Sequence, residues 1–525
     1  MNNRLSLLFF GIILLLFFYD IGNLNALRQG TEGFYLLISQ EMYEARDFLT
    51  PRIYGDYHWS KPPFQFWLPI PLYHFFGGSF LMWARVSVLI FSLGSCFLIS
   101  LWYEKELKRN WYEAFGFLIC PLYFIKYSRI FMMEMALAYL TTLSALYFYS
   151  YYKKQNSKNL LAASFISGLS VLVKGPVSLV MIFPPAFFLF LTKSKKQIKP
   201  LLIYGLLSVL FGSLWFVFSY LRFGREFFDY FFIRENLGKF TAKSYPIKSV
   251  IQGLFIYSFP VFLFLFPIFK TKGLKNFKEP INQFLGFSFI CFYFLWFLPK
   301  QKSHHYAVPA IPILCLYICY NFKQLSSKIQ KTFLKSQKIL MSFFMSFGFI
   351  ILGFLYFFRN DLVLQNARPY FLGALFCLAL WTWLFNRAHK RLETLVLVIP
   401  FIFYWQFLLP LGILPTVPVE VIKIAKSPKT IFVSYRKPFF VQEALERDIT
   451  LMPSMGIASN DISSGDLVFI SRREFSKSEE SSRFYEILNS WKVWKRGSGL
   501  SQIFIALKNR DLKSLQEHYI LAKKK

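Results

Sequence analysis

The chain has 525 residues, is 55% hydrophobic and 21% aromatic, and has a mean hydropathy of +0.41. Apolar runs long enough to cross about 30 Å of hydrocarbon recur along most of it, which excludes a water-soluble globular protein. The net charge of +32 sits largely in short links between apolar segments, where membrane topology accounts for it. A nucleic-acid partner is therefore not expected.

The first apolar run, Leu5–Tyr19, follows Arg4. No clear small-x-small cleavage site comes after it, so it reads as a retained helix and not as a signal peptide. Thirteen spans are predicted, at 4–20, 80–103, 111–125, 131–152, 160–173, 176–192, 201–221, 249–269, 281–298, 305–321, 339–358, 370–386 and 392–414. Between the first two lies a polar, aromatic-rich segment, Arg28–Trp67. A loop of that length at a membrane surface is more often functional than a mere connector. All six cysteines (96, 120, 291, 315, 319, 377) fall inside apolar segments, so they read as small buried hydrophobes without a disulfide framework.

Alternate links are basic: Lys105, Lys108 and Arg109; Lys153, Lys154 and Lys158; Lys193, Lys195, Lys196 and Lys199; Lys270, Lys272, Lys275 and Lys278; Lys323, Lys328, Lys331, Lys335 and Lys338; Arg387, Lys390 and Arg391. They fall on one side if the N-terminus is cytoplasmic. The other side then receives Arg28–Trp67, the turns near Arg129 and Lys174, the loop Arg222–Lys248, the turn Lys300–His305 and the tail. The expected architecture is a mostly α membrane domain over residues 1–415, with a long extracytoplasmic first loop over 21–79. A small soluble α/β domain is expected outside the membrane over 416–525. In that tail, Thr430–Tyr435, Leu467–Ser471 and Gln502–Leu507 read as β-like, Val441–Arg447 and Arg483–Asn489 as helix-like, and Lys523-Lys524-Lys525 as a solvated end.

Several polar groups stand out on the non-cytoplasmic side. Glu32, in Gly30-Thr31-Glu32-Gly33, could be a base at a dry interface or the capping acid of a helix through Leu36–Met42; the two are compatible. Lys61, held by Pro62 and Pro63, suits a phosphate, or it snorkels beside Trp59 and Trp67. Arg28 and Arg52 add positive charge. Glu134 enters an apolar span, where an acid needs a cavity or a partner, and Arg129 is the candidate partner in a structural ion pair. Lys174, in the turn Lys174-Gly175-Pro176, needs an anion or a carbonyl. The Arg222–Lys248 loop, with Glu235, Asn236 and Lys239, reads as a gating loop or a solvated connector. His304 and His305, before Tyr306, suit hydrogen bonding to phosphate or sugar better than a shared metal, and a lone interfacial His pair is more often structural than catalytic.

The chain lacks a nucleotide-phosphate loop, a nucleophile elbow and a His-Glu-x-x-His site. An externally facing enzyme would also lack cytosolic nucleotides, so it would need an activated donor delivered in the membrane.

In order, Thr31-Glu32-Gly33-Phe34-Tyr35, Ile38-Ser39-Gln40-Glu41-Met42, Asp47-Phe48-Leu49-Thr50-Pro51-Arg52, Lys61-Pro62-Pro63 with Phe66-Trp67, Arg85, Arg129 with Glu134-Met135-Ala136, Gly168-Leu169 with Lys174-Gly175-Pro176, and His305-Tyr306 with Pro309 and Pro312 carry a resemblance. The chain resembles the C-type glycosyltransferases that use polyprenyl-phosphate sugars. Within them it is similar to the lipid A aminoarabinose transferases and, more loosely, to protein O-mannosyltransferases. The resemblance implies that Glu32 positions or deprotonates the acceptor and that Glu134 is a second acid. It implies that Lys61, Lys174, Tyr306 and Arg52 meet the donor phosphate. Tyr35, Arg129, Glu235, His304 and His305 are expected as acceptor or sugar contacts.

Ser60 and Asn236 stand where the aminoarabinose transferases have an acid and a His that bear on a metal site. These replacements speak against a divalent metal and weaken lipid A as the acceptor. The expected partners are a polyprenyl-phosphate-linked sugar, an envelope glycolipid or protein acceptor, and membrane lipids. The expected location is a bacterial-type inner membrane. A lipid-linked sugar flippase is the alternative, and one-sided clustering of the polar residues disfavours it.

Overall fold

The computed structural model describes residues 3–22, 30–53, 55–193, 198–241, 246–272, 279–357, 368–387, 393–409, 417–426, 430–433, 450–451, 462–476, 481–494, 505–506, 508–509 and 511–525. The apolar runs fold as helices, because in hydrocarbon each backbone N–H and C=O must find its partner within its own segment. Among the described residues, six helices are long and apolar enough to cross a membrane, and seven if Lys248–Ser258 and Val261–Thr271, bent by 82°, form one broken span. Shorter apolar helices cover Leu8–Phe18, Val177–Leu191 and Leu395–Leu408. The chain is thus a mostly helical, multi-pass membrane protein. Contacts divide it into two compact units: Met1–Ile21, Tyr35–Met345 and Cys377–Ile402 form one, and Gly22–Phe34, Ser346–Phe376 and Phe403–Lys525 the other.

In the first unit, local chemistry sets the helix ends. Ser79 caps Phe80–Leu107, its hydroxyl accepting from the Met82 N–H at 3.2 Å. Pro121, with φ −68° and ψ 152°, splits the predicted 111–125 span into Trp111–Ile119 and Leu122–Tyr127. The expected pair 160–173 and 176–192 is two helices, Ser157–Lys174 and Val177–Lys193. Gly175 separates them at φ +78°, donating its N–H to the Val171 carbonyl at 2.7 Å. Gly168 and Gly212 let Ser157–Lys174 approach the helix Ile198–Phe228, for a Cβ on either would crowd Phe211 or Val171.

The expected Arg222–Lys248 loop is mostly helical. Ile198–Phe228 breaks at Gly224 (φ 59°), a π-helix covers Asp229–Leu237, and a further turn covers Gly238–Thr241. Its apolar face, Phe227 and Phe231, is buried among other aromatics, and that packing outweighs the polar composition that suggested a loop.

In the second unit, the tail carries a five-stranded sheet. Its strands are β3 (Ile431–Val433), β4 (Thr450–Leu451), β5 (Leu467–Ser471), β6 (Tyr485–Trp494) and β7 (Gln516–Lys524), in the order β4-β3-β5-β7-β6. The remaining two strands, β1 (Arg52–Ile53) and β2 (Asp56–Tyr57), form a hairpin in the first unit, with Gly55 at φ +80° in its turn. In the tail sheet, β3 is parallel to β4 and β5, whereas β7 is antiparallel to β5 and β6. Alternate residues feed opposite cores: Leu467, Phe469, Tyr519 and Leu521 on one face, Val468, Ile470, Ile520 and Ala522 on the other.

Two tail expectations are corrected. Arg483–Asn489 is not a helix: after a turn at Ser481–Phe484 it enters β6, because pairing along β7 and burial of Tyr485 and Trp491 outweigh local propensity. The lysine end is not a free tail, since Lys523 and Lys524 lie in β7. Of Gln502–Leu507, Ile505 and Ala506 are helical. Val441–Arg447 lies outside the described residues.

Candidate functional site

An aromatic cluster in the first unit gathers the cations. Trp59, Leu172, Trp215, Phe227 and Phe231 form one buried group. Lys61 follows Trp59 by two residues, Lys174 follows Leu172 by two, and Glu235 follows Phe231 by one helical turn. Burying the apolar anchors therefore draws the three charges together, although they are far apart in sequence.

Lys61 Nζ donates to the Ser60 carbonyl at 2.7 Å and lies 3.6 Å from Glu235 Oε2. Lys239 and Lys174 are both near enough to act on it electrostatically. Burial pushes the Lys61 ammonium down to about 7, with Lys239 and Lys174 adding to the effect and Glu235 opposing it. His58 packs alongside, its Nε2 2.6 Å from the Ser60 hydroxyl and its Nδ1 3.3 Å from the Tyr230 hydroxyl. Burial and then the Lys61 charge lower His58 to about 4, so it is neutral near pH 7.

Glu134 and Lys174 occupy complementary helix ends. Glu134 opens Glu134–Lys154 and Lys174 closes Ser157–Lys174, positions that the helix dipole favours for an acid and a base respectively. Glu134 is 2% exposed. Its Oε1 lies 3.4 Å from His305 Nε2, while its Oε2 has no hydrogen-bond partner among the described residues. Ser303 fixes the other side of the imidazole, its hydroxyl 2.8 Å from Nδ1. Lys174 Nζ sits 4.8 Å from the Trp296 ring and 4.9 Å from the Tyr306 ring. Glu134 and Glu235 both act electrostatically on Tyr306 and Tyr35, which joins the two halves into one site. A cluster of three partly buried ammoniums and two carboxylates can bind an anionic phosphate and present hydroxyl-binding groups beside it.

Other predicted residues lie elsewhere. Tyr35 donates to Met133 Sδ at 3.9 Å, directly before Glu134. Glu32 is buried in the first turn of the helix Gly30–Glu44, as a capping acid would be. Arg52 pairs with Asp47 at 3.3 Å and stacks 4.8 Å from Tyr57, with no contact to Lys61 or Lys174 among the described residues. Arg129 does not pair with Glu134 there; its guanidinium donates to the Tyr19 carbonyl at 2.5 Å, because the non-helical stretch before Glu134 turns the two side chains apart. His304 is exposed, and Arg28 lies outside the described residues. Sequence reasoning missed His58 and Trp296 and left Lys239 in a list of loop residues; none carries a local motif.

Ser60 is engaged by His58, the Asn236 amide donates to the Phe231 carbonyl at 2.6 Å, and Glu235 faces an ammonium. Among the described residues, no three His, Cys, Asp or Glu converge on a point that could hold a metal ion.

No family model matches the chain. A protein of Aquifex aeolicus (strain VF5) is 28% identical over 310 residues, 58% of this chain and 61% of that protein, so the match spans less than two thirds of the relative's length. An undecaprenyl phosphate-alpha-4-amino-4-deoxy-L-arabinose arabinosyl transferase of Wigglesworthia glossinidia brevipalpis is 27% identical over 413 residues, 73% of this chain and 71% of that protein. The crystal structure of ArnT from Cupriavidus metallidurans, bound to undecaprenyl phosphate, superposes with a TM-score of 0.69 at 15% identity, covering 99% of this chain and 98% of that one. The chain has the ArnT fold. That bears out the resemblance read from the ordered motifs.

Proposed function

We propose that this chain is a membrane glycosyltransferase that moves a sugar from a polyprenyl-phosphate donor to an envelope acceptor. The observation that carries the reading is the pair of partly buried lysines, Lys61 and Lys174, set against the buried Glu134 within an ArnT fold. The acceptor oxygen bonds to the anomeric carbon as the carbon–oxygen bond to the phosphate breaks, and polyprenyl phosphate departs. Lys61 and Lys174 stabilise the charge gathering on that leaving group, and Tyr306 donates to it. Glu32 orients an acceptor hydroxyl and takes its proton; an acceptor phosphate brings no proton, and Glu32 then only positions it.

The acceptor is an envelope glycolipid of the lipid A type or a protein, and the sugar a pentose or hexose. The site faces away from the cytoplasm of a bacterial-type inner membrane, with thirteen crossings, a cytoplasmic N-terminus and the 416–525 domain outside. The clustering of basic links on one side supports that orientation. Mass spectrometry of envelope lipids and glycoproteins from cells with and without the chain tests the reading. One sugar should vanish from one acceptor on deletion and return with the wild-type chain but not with Glu32→Gln. An unchanged envelope, with the donor accumulating on one leaflet, would point to a flippase instead.

A further inference from the structure

Buried tryptophans of this chain commonly spend their indole N–H. Trp102 donates to the Leu146 carbonyl at 3.1 Å and to the Ser150 hydroxyl at 2.7 Å, and Trp215 donates to the Leu49 carbonyl at 2.7 Å. Trp296 is 4% exposed, yet its Nε1 has no hydrogen-bond partner among the described residues. A buried donor left without an acceptor is costly, so its retention calls for a reason. Trp59 shares the condition, but rings wall it in, with Phe223 at 4.9 Å and Tyr57 at 5.3 Å. Trp296 has different company. Its ring lies 4.8 Å from Lys174 Nζ and 4.8 Å, centroid to centroid, from the Tyr306 ring, at an angle of 37°. Lys174 Nζ is 4.9 Å from the Tyr306 ring as well. Among the described residues that ammonium makes no hydrogen bond or ion pair, so its contacts are the two rings. Aromatic faces hold a cation in place without neutralising it.

We propose that Trp296 is a further residue of the donor site: its ring face positions the Lys174 ammonium, and its N–H donates to an oxygen of the phosphate that this ammonium binds. The inference rests on the donor reading given above. Two hydrogen bonds of about 2.9 Å, meeting at one oxygen or at two oxygens of one phosphate, span the separation between such an ammonium and an indole edge. An indole N–H gives a hydrogen bond and cannot take one, so it favours an acceptor that carries no proton, and an ionised phosphate oxygen is one. Tyr306 lies against both Lys174 and Trp296, and the three side chains present an ammonium, a phenol and an indole N–H to one anion.

Titration of undecaprenyl phosphate into the purified full chain in lipid nanodiscs, with tryptophan labelled at the indole nitrogen for magnetic resonance, tests this. The indole resonance that is missing from the Trp296→Phe spectrum should move downfield as the wild-type chain is saturated. Trp296→Tyr supplies the same assignment if Trp296→Phe does not fold. Trp296→Phe keeps a ring beside Lys174 and drops the N–H, and it should weaken binding by about tenfold. Trp296→Leu drops both and should weaken it further, by about 100-fold. An indole resonance that stays in place at saturation overturns the inference while leaving the transferase reading intact. So does a folded Trp296→Phe chain that binds as wild type. A wild-type chain that binds no undecaprenyl phosphate overturns the donor reading together with the inference.

Discussion

Glu134 holds His305 with one carboxylate oxygen, at 3.4 Å, and leaves its other oxygen without a hydrogen bond among the described residues. A buried acceptor oxygen with no partner costs about 1–3 kcal/mol, so a site that keeps one has a use for it when occupied. In the proposed reaction Glu134 would receive a substrate hydroxyl or amine, oriented by His305.

Glu134→Gln keeps the shape and removes the charge. Transfer should fall by about 100-fold, in the range seen when one preorganised polar group is lost from a site. His305→Gln, which only loosens the carboxylate, should cost about tenfold. Single-turnover rates at saturating donor would separate the two, and a Glu134→Gln enzyme with normal turnover would remove the acid from the chemistry.

Lys61 gives the protein a pH signature. In the proposed reaction its charged form would bind phosphate, and burial brings its deprotonation down to about 7 in the free protein. Donor affinity should therefore be greatest below pH 7 and fall as the pH rises past it, with about one proton taken up per donor bound. Stability should move the other way. Between about pH 7 and 10 the unfolded chain keeps the Lys61 proton that the folded chain has released, so folding becomes more favourable as pH rises through that window. Lys61→Arg should flatten both profiles, and isothermal titration in buffers of different ionisation enthalpy would count the proton.

Gly253 touches no proposed substrate group, yet it abuts the segment that does. A Cβ there would overlap the carbonyl of His304. Helical Gly→Ala changes ordinarily stabilise by up to about 1 kcal/mol, as Gly94→Ala, with nothing within 4 Å, should do. Gly253→Ala should instead cost about 1–3 kcal/mol and lower transfer, because the His304–Ala310 turn must shift. Thermal unfolding of the pair in one detergent checks the contrast.

Trp59 is the anchor behind Lys61. It is 1% exposed and stacks on Tyr57 at 5.3 Å and against Phe227 at 5.9 Å. Trp59→Ala should cost about 3–5 kcal/mol and raise the donor KM more than it lowers kcat. Trp59→Phe, which keeps most of the packing, should recover both.

Much of this was legible in the chain, and the reasons for the rest are physical. Gly175 and Pro176 announce a helix stop and restart, and Leu467–Ser471 is a strand because an apolar β-branched run has few other uses. Thr31-Glu32 foretells a helix start for the same local reason. What failed needed partners distant in sequence. Arg483–Asn489 has a helical composition but is claimed by β7. Asp229–Leu237 looks like a loop until Trp59 and Trp215 bury its phenylalanines. Arg129 and Glu134 are five residues apart, a spacing that even a continuous helix would not bring to one face, and no helix joins them. Lys239 and His58 carry no motif at all; only the fold brings them to Lys61.

The order of strands in the tail sets a schedule for its assembly. β7 lies between β5 and β6, both made earlier on the ribosome. Until residues 516–524 emerge, β5 and β6 each expose an unsatisfied backbone edge and half a core, and they have no direct pairing with each other. The nascent sheet must therefore wait, open, for β7, and whatever guards the emerging chain must guard these two edges until it comes.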